Sequence, residues 1–320
     1  LVRFIQRTEE NRQAIRDELA AGLQAPQAAV SPKYLYDTLG SRLFEAICEL
    51  PEYYPTRTEA AVFDEHAAAI AQAVGAGATM IDLGAGNCAK AARLFPVLQP
   101  SQYVPVDISV EFLRDAVNGL QRRFPHTDML ALGCDFSSTL DLPPSVRAER
   151  RLFFYPGSSI GNFSPQEALV FLKQLRRECG AQRNGESGIL FGVDLVKEKA
   201  LLDAAYDDAL GVTAAFNLNL LLHVNRLLDA DFNPRDWRHR GFFNTDLSRI
   251  EMHLEARSEV TVQWRQGHRR FRQGETIHTE CSYKYTPSGF LSLLEEAGFG
   301  RARTWTDARG WFMVCHAQAL

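Results

Sequence analysis

The chain has 320 residues, 46% of them hydrophobic, with 35 Lys and Arg against 39 Asp and Glu, a net charge of −4 and a pI near 6.1. That composition can bury a large core in one or two domains, and it gives no electrostatic ground for a nucleic-acid partner. No apolar run reaches the roughly 20 residues that span a bilayer, and the opening LVRFIQRTEENRQ is too broken by charges to be a secretory leader. Residues 9–24 carry Ala14, Ile15, Leu19 and Leu23 on one helical stripe. Pro26 and Pro32 interrupt the next segment, and a second helix follows around Leu35, Leu39, Leu43, Phe44, Ile47 and Leu50 until Pro51 stops it. After the turn PEYYPTRTE a helix is expected over about 58–74.

From there the alternation is regular: strand 79–83, helix 87–98, strand 102–107, helix 109–124, strands 129–133 and 151–155, helix 165–178 and strand 188–194. Ser164 followed by Pro165 is an opening signal for the helix at 165–178. Short strands separated by helices predict an α/β fold on a doubly wound, mostly parallel sheet. Residues 197–230 read as helical, and 250–264 and 276–286 alternate in period two, as antiparallel strands do. The ending, a helix, a Gly stop and two strands, reads as a hairpin that completes the sheet, so that 197–286 becomes an insertion.

Cys48, Cys88, Cys134, Cys179, Cys281 and Cys315 form no CxxC or metal-ligand spacing, and the eight histidines form no HExxH pair. Reduced, mostly buried thiols in a cytoplasmic protein without a metal are expected. The basic group Arg265, His268, Arg269, Arg270 and Arg272 reads as a solvated strand or loop face.

Chemistry concentrates at strand ends. Met80-Ile81-Asp82-Leu83 runs into the turn Gly84-Ala85-Gly86, and the next strand ends on Asp107. A glycine turn and an acid of this kind hold a nucleoside-bearing cofactor, the acid taking two ribose hydroxyls. GAGNCA fits a degenerate dinucleotide fingerprint as well as an S-adenosylmethionine site. Asp135-Phe136, placed for an adenine amino group and face, and the loop PGSSIGN ending at Asn162 favour the methyl donor. A hydride-transferring oxidoreductase would need an acid such as a Tyr-x-x-x-Lys pair, and none is apparent.

YLYDTLGSRLFEAICELPEYYPTRTE at 34–59, YPGSSIGNF, GVDLVKE, AYDDALGVTAAFN, IEMHLEA and TECSYKY span most of the chain. In that order they resemble the L-histidine Nα-methyltransferases of ergothioneine biosynthesis. The resemblance implies a class I methyltransferase fold over 61–196 and 287–320, with an α+β substrate domain from 1–60 and 197–286. It implies trimethylation of free L-histidine to hercynine with S-adenosyl-L-methionine as donor, in a monomer without nucleic acid or membrane. Gly84, Lys90, Asp107, Asp135 and Phe136 would line the donor site. Tyr53, Asn162, Tyr206, Glu280 and Ser282 would bind histidine, with Met252 in the wall and Tyr36 near the reacting amine. By the same resemblance Glu280 and Ser282 hold the imidazole, while Asn162 and Tyr206 hold the backbone end. Ala85, Asn87 and Cys88 depart from the serine and hydroxyl residues usual in the family. Related enzymes act on tryptophan derivatives or tyrosine; a carboxylate at Glu280 argues for histidine, because an indole or phenol has little use for it.

Overall fold

A computed structural model describes residues 2–6, 11–137, 140–180 and 186–320. The strands of the first half are β1 (Arg3–Gln6), β2 (Ala28–Ala29), β3 (Thr79–Leu83), β4 (Gln102–Asp107), β5 (Asp128–Gly133), β6 (Arg151–Tyr155) and β7 (Gly188–Asp194). Then come β8 (Trp237–Asn244), β9 (Arg249–Ala256), β10 (Val260–Trp264), β11 (Gly267–Phe271), β12 (Thr276–Tyr283), β13 (Phe299–Thr306) and β14 (Phe312–Ala319). The helices are α1 (Arg12–Gln24), α2 (Thr38–Cys48), α3 (Pro55–Val74), α4 (Ala89–Leu98), α5 (Val110–Arg123), α6 (Pro165–Glu178), α7 (Lys199–Tyr206), α8 (Val212–Leu228) and α9 (Pro287–Glu296). None of them is long and apolar enough to cross a membrane.

The chain divides into two compact units, one of residues 1–9, 58–195 and 285–320, the other of 10–57 and 196–284. The first contains an eight-stranded sheet in the order β1-β5-β4-β3-β6-β7-β14-β13. Its pairs are parallel from β1 to β7, and β14 and β13 close it antiparallel. This is the class I methyltransferase architecture that the resemblance implies. The central strands are hydrophobic on both faces, as strands covered twice must be. Ile81, Val104, Leu130, Phe153 and Phe191 pack with α6 and α9, whereas Met80, Tyr103, Met129, Phe154 and Leu190 pack with α3, α4 and α5. α6 opens with a full capping box between Ser164 and Glu167.

The second unit holds a four-stranded sheet, β2-β12-β9-β8, and the hairpin β10-β11. The helical stretch expected over 197–230 is two helices, because Gly211 (φ +76°) reverses the backbone and Asp208 caps α8 through the amides of Val212 and Thr213. Asp37 caps α2 through Gly40 and also accepts from Asn219 and Arg226 of α8. A Cβ on Gly40 would stand 1.8 Å from the carbonyl oxygen of Leu35, so only glycine lets α2 begin there.

Several elements differ from expectation. β1, grouped by sequence with the second domain, pairs parallel with β5 in the first unit, and the domain boundaries shift accordingly. The first helix is described from Arg12, and residues 9 and 10 lie outside the described residues. β8 was not anticipated, because Arg238 and Arg240 hide its alternation and pair with Glu255; the basic group read as a solvated strand or loop face includes β11, whose Arg269 bonds Glu275 and the carbonyls of Leu23 and Ala25.

Candidate active site

In the first unit, β3, β4 and β5 run parallel in register, so their carboxyl ends fall side by side. Gly84 (φ +68°) and Gly86 (φ +52°) turn the chain out of β3 in a conformation that costs other residues roughly 1–2 kcal/mol. Asp107 pins that turn: its Oδ2 accepts from the Gly86 amide and its Oδ1 from the Ser109 amide, both at 2.9 Å. Phe136 lies 3.8 Å from where a Gly84 Cβ would stand, and it meets Tyr155 edge to face at 5.8 Å. Asp135 accepts from Ser137. Asn162 ends a 3-10 turn, Ser159–Asn162, and is exposed.

The departures after the glycines have a local explanation. The Asn87 side chain accepts from the Ala89 amide at 3.0 Å, taking the capping task at the start of α4. Cys88 takes a left-handed conformation and is buried, which pushes its thiol up to about 12 and leaves it inert.

One residue of this unit escaped the sequence reading. Glu59, 2% exposed, accepts from the Lys90 ammonium at 2.7 Å and from the Gly157 amide at 2.6 Å. A Cβ on Gly192 would stand 1.9 Å from the same carboxylate. Glu59 therefore ties the start of α4 to the loop after β6. Its signal in the sequence was a lone acid on an otherwise apolar helix face.

The second unit gathers the aromatic candidates. Tyr36 meets Phe44 and Phe216 edge to face at 5.6 and 5.5 Å, Phe44 meets Tyr53 at 6.1 Å, and Tyr53 meets Tyr206 at 5.9 Å. Arg57 donates to the carbonyls of Leu50, Pro51 and Tyr53, which fixes the turn that carries Tyr53. Burial pushes the Tyr53 hydroxyl well above its ordinary value, so it stays a donor.

On β12 a bulge between His278 and Glu280 shifts the register. The alternation expected from 276 onward is broken there, and Glu280 and Ser282 come to stand opposite Met252 and Ile250 of β9. Burial raises the Glu280 carboxyl to about 7, against the pull of Lys284. Lys284, a second residue missed in sequence, is 3% exposed and donates to Ser282 Oγ at 2.9 Å and Tyr206 Oη at 3.1 Å. Tyr206 Oη donates to Ser282 Oγ at 3.3 Å. Tyr36, Tyr53, Tyr206, Met252, Glu280 and Ser282 thus all belong to this unit, whereas Asn162 belongs to the other.

His278 lies opposite His253, and Cys281 opposite Glu251. Ligand atoms of Glu251, His253 and His278 lie within 4.8 Å of one another. Yet the two rings stack at 4.6 Å, Arg249 donates to Glu251 at 2.8 Å, and His253 hydrogen-bonds Glu251 at 2.9 Å. Despite its burial, Glu251 is held down to about 2 by those two partners. A carboxylate already neutralised by a guanidinium braces a ring stack and is a poor cation ligand.

The sequence profile described as histidine-specific methyltransferase, SAM-dependent, matches residues 15–319. A histidine N-alpha-methyltransferase of Mycolicibacterium smegmatis is 39% identical over 306 residues, covering 94% of this chain and 93% of the relative. One from Mycobacterium tuberculosis is 39% identical over 93% of each chain. A 4-dimethylallyltryptophan N-methyltransferase of Arthroderma benhamiae is 26% identical, covering 94% of this chain and 92% of the relative.

Proposed function

Because this chain belongs to the histidine-specific, S-adenosylmethionine-dependent methyltransferase family, we propose that it trimethylates the α-amino group of free L-histidine to hercynine. The observation that carries the acceptor is the pair Glu280 and Ser282, opposite Met252 and Ile250 on the facing strand, in a unit whose other polar candidate side chains are tyrosines. A carboxylate and a hydroxyl two residues apart match the two nitrogens of an imidazole, whereas an indole or phenol has one polar atom and leaves one of the two side chains without a partner. A site built around buried polar groups rejects ligands that lack their partners by about 10⁴.

The first unit's residues fit the donor. Among the described residues, apart from its chain neighbours, no atom lies within 4 Å of a Cβ built on Gly86, so the turn leaves room for a ligand against the backbone. Each Asp107 oxygen accepts one amide and keeps a lone pair for a ribose hydroxyl. Phe136 and Asp135 would take the adenine face and amino group, and Gly84 and Lys90 would line the same site. When bound, S-adenosylmethionine supplies an activated methyl group on a sulfonium that already carries the positive charge.

Transfer to nitrogen is then an in-line displacement, and most of the acceleration can come from holding amine and methyl in line. The amine must be neutral, and its proton can leave to solvent before each transfer, so a strong general base is not required. Asn162 would hold the carboxylate end of histidine, with Tyr36 beside the amine; Tyr206, assigned to that end by resemblance, gives its hydroxyl proton to Ser282 Oγ and would meet the ligand through its ring. Each methylation adds bulk and the last fixes a positive charge. The faces of Tyr36, Tyr53 and Tyr206 can favour that cation by ~0.5–2 kcal/mol each. The protein would work as a cytoplasmic monomer, without nucleic acid or membrane.

Calorimetric titration tests the acceptor. L-Histidine should bind in the presence of S-adenosylhomocysteine, and tryptophan and tyrosine should not. Preferential binding of either aromatic amino acid would overturn the assignment.

A further inference from the structure

Lys284 is not among the residues assigned by resemblance, and its surroundings constrain the acceptor more closely than Glu280 and Ser282 do alone. An ammonium has hydrogens and no lone pair, so it can only donate. Lys284 Nζ donates to Ser282 Oγ at 2.9 Å, Tyr206 Oη donates to the same oxygen at 3.3 Å, and both bonds are buried. A serine oxygen has two lone pairs and one hydrogen. With both pairs engaged, the Ser282 proton is left to point at a ligand. The ammonium also lies 5.0 Å above the Tyr206 ring, which holds it in place.

We infer that Lys284 is a positioning residue that locks Ser282 as a hydrogen-bond donor, so that the site selects a neutral imidazole with its lone pair toward Ser282 and its N–H toward Glu280. Resting on the histidine reading, this specifies the protonation state and tautomer of the bound ring. An imidazolium presents N–H groups on both sides and sets one of them against the Ser282 proton. A buried donor facing a donor forfeits its hydrogen bond. Among the described residues, the ionisable groups around Ser282 are Glu280 on its own strand, Lys284 just beyond that strand's end, and Tyr206 from α7, whose ring meets Tyr53. The facing strand places Ile250 opposite Ser282.

The test compares L-histidine with its 1,2,4-triazole analogue, whose ring keeps an N–H and a lone pair and stays neutral in mildly acidic solution. Both are titrated calorimetrically into the full chain with S-adenosylhomocysteine at several pH values. Glu280 ionisation and amine protonation affect the two ligands alike and cancel in the ratio of their affinities. In the native protein the ratio should move about tenfold per pH unit toward the triazole below the imidazole pKa of roughly 6.5. Lys284→Met frees Ser282 to accept, so the ratio should become nearly independent of pH. Lys284→Arg, which also only donates, should restore the native slope. Ser282→Ala, a substitution at a different residue, should flatten the slope as Lys284→Met does, which separates the effect from misfolding of one variant. A native slope in both Lys284→Met and Ser282→Ala, or a flat ratio in the native protein while histidine still binds, would overturn the inference and leave the histidine reading standing. Failure of histidine to bind the native protein would overturn both.

Discussion

Glu59→Ala perturbs the donor side of the enzyme without substituting any residue assigned to it. The deleted carboxylate is 2% exposed and accepts from the Gly157 amide at 2.6 Å and from Lys90 at 2.7 Å. Losing it leaves the Gly157 amide without this partner, at about 1–3 kcal/mol. Lys90 is 41% exposed, so water reclaims its charge, and its share stays near the ~0–1 kcal/mol of a surface pair. The expected loss is about 1–4 kcal/mol, or a fall in Tm of roughly 2–16 °C at the ~2–4 °C per kcal/mol of larger domains. With the loop after β6 and Lys90 released together, affinity for S-adenosylhomocysteine should fall about tenfold or more, the equivalent of ~1.4 kcal/mol. Gly192→Ala pushes on the same carboxylate from the other side and should weaken the cofactor in the same direction. Scanning calorimetry with ligand titration reads both effects. Native cofactor affinity in Glu59→Ala, with an unchanged Tm, would refute the reasoning.

The remaining expectations concern the acceptor, the ribose acid and a buried carboxyl. Glu280→Ala should lower histidine affinity by about a hundredfold or more and relax selectivity toward aromatic amino acids; unchanged calorimetry would sink Glu280's role. Asp107→Asn should weaken S-adenosylhomocysteine about tenfold or more, since hydrogen bonds to a charged acceptor contribute ~1.5–3 kcal/mol, and a native dissociation constant would contradict it. Burial raises the Asp82 carboxyl from 3.8 to about 7 even though Tyr103 donates to it at 2.6 Å. The native state therefore holds a proton that the unfolded chain releases, and stability should fall as pH rises between those values, by about 1.4 kcal/mol per pH unit at its steepest. Urea titrations across that window should show the slope, Asp82→Asn should remove that contribution to it, and an identical slope in the variant would exclude Asp82 as its source.

The first unit was legible because its physics is local. The strands β3, β4, β6 and β7 are short apolar runs between helices with turn and cap signals, such as Ser164 before α6, and both faces of each are buried. β8 was hidden because its outward positions are the arginines that pair with Glu255, and because Gly241 packs a backbone against the Tyr206 carbonyl where a side chain would have marked the strand. The bulge at His278/Glu280 is a property of pairing with β9 and leaves no trace in β12's own residues. Glu280, Ser282 and Tyr206 could be named from resemblance, but Glu59 acts on neighbours far away in sequence, and Lys284 binds distant Tyr206 as well as nearby Ser282. Glu59 meets Gly157 and Lys90, and Lys284 meets Tyr206, so their roles appear only once the chain is folded.

The most direct test of the account is to incubate the protein with S-adenosylmethionine and an equimolar mixture of the common amino acids, and to follow the products by mass spectrometry with fragmentation. Histidine alone should gain one, two and then three methyl groups, all on the α-nitrogen. Methylation of tryptophan or tyrosine in preference, or of a ring nitrogen of histidine, would contradict it.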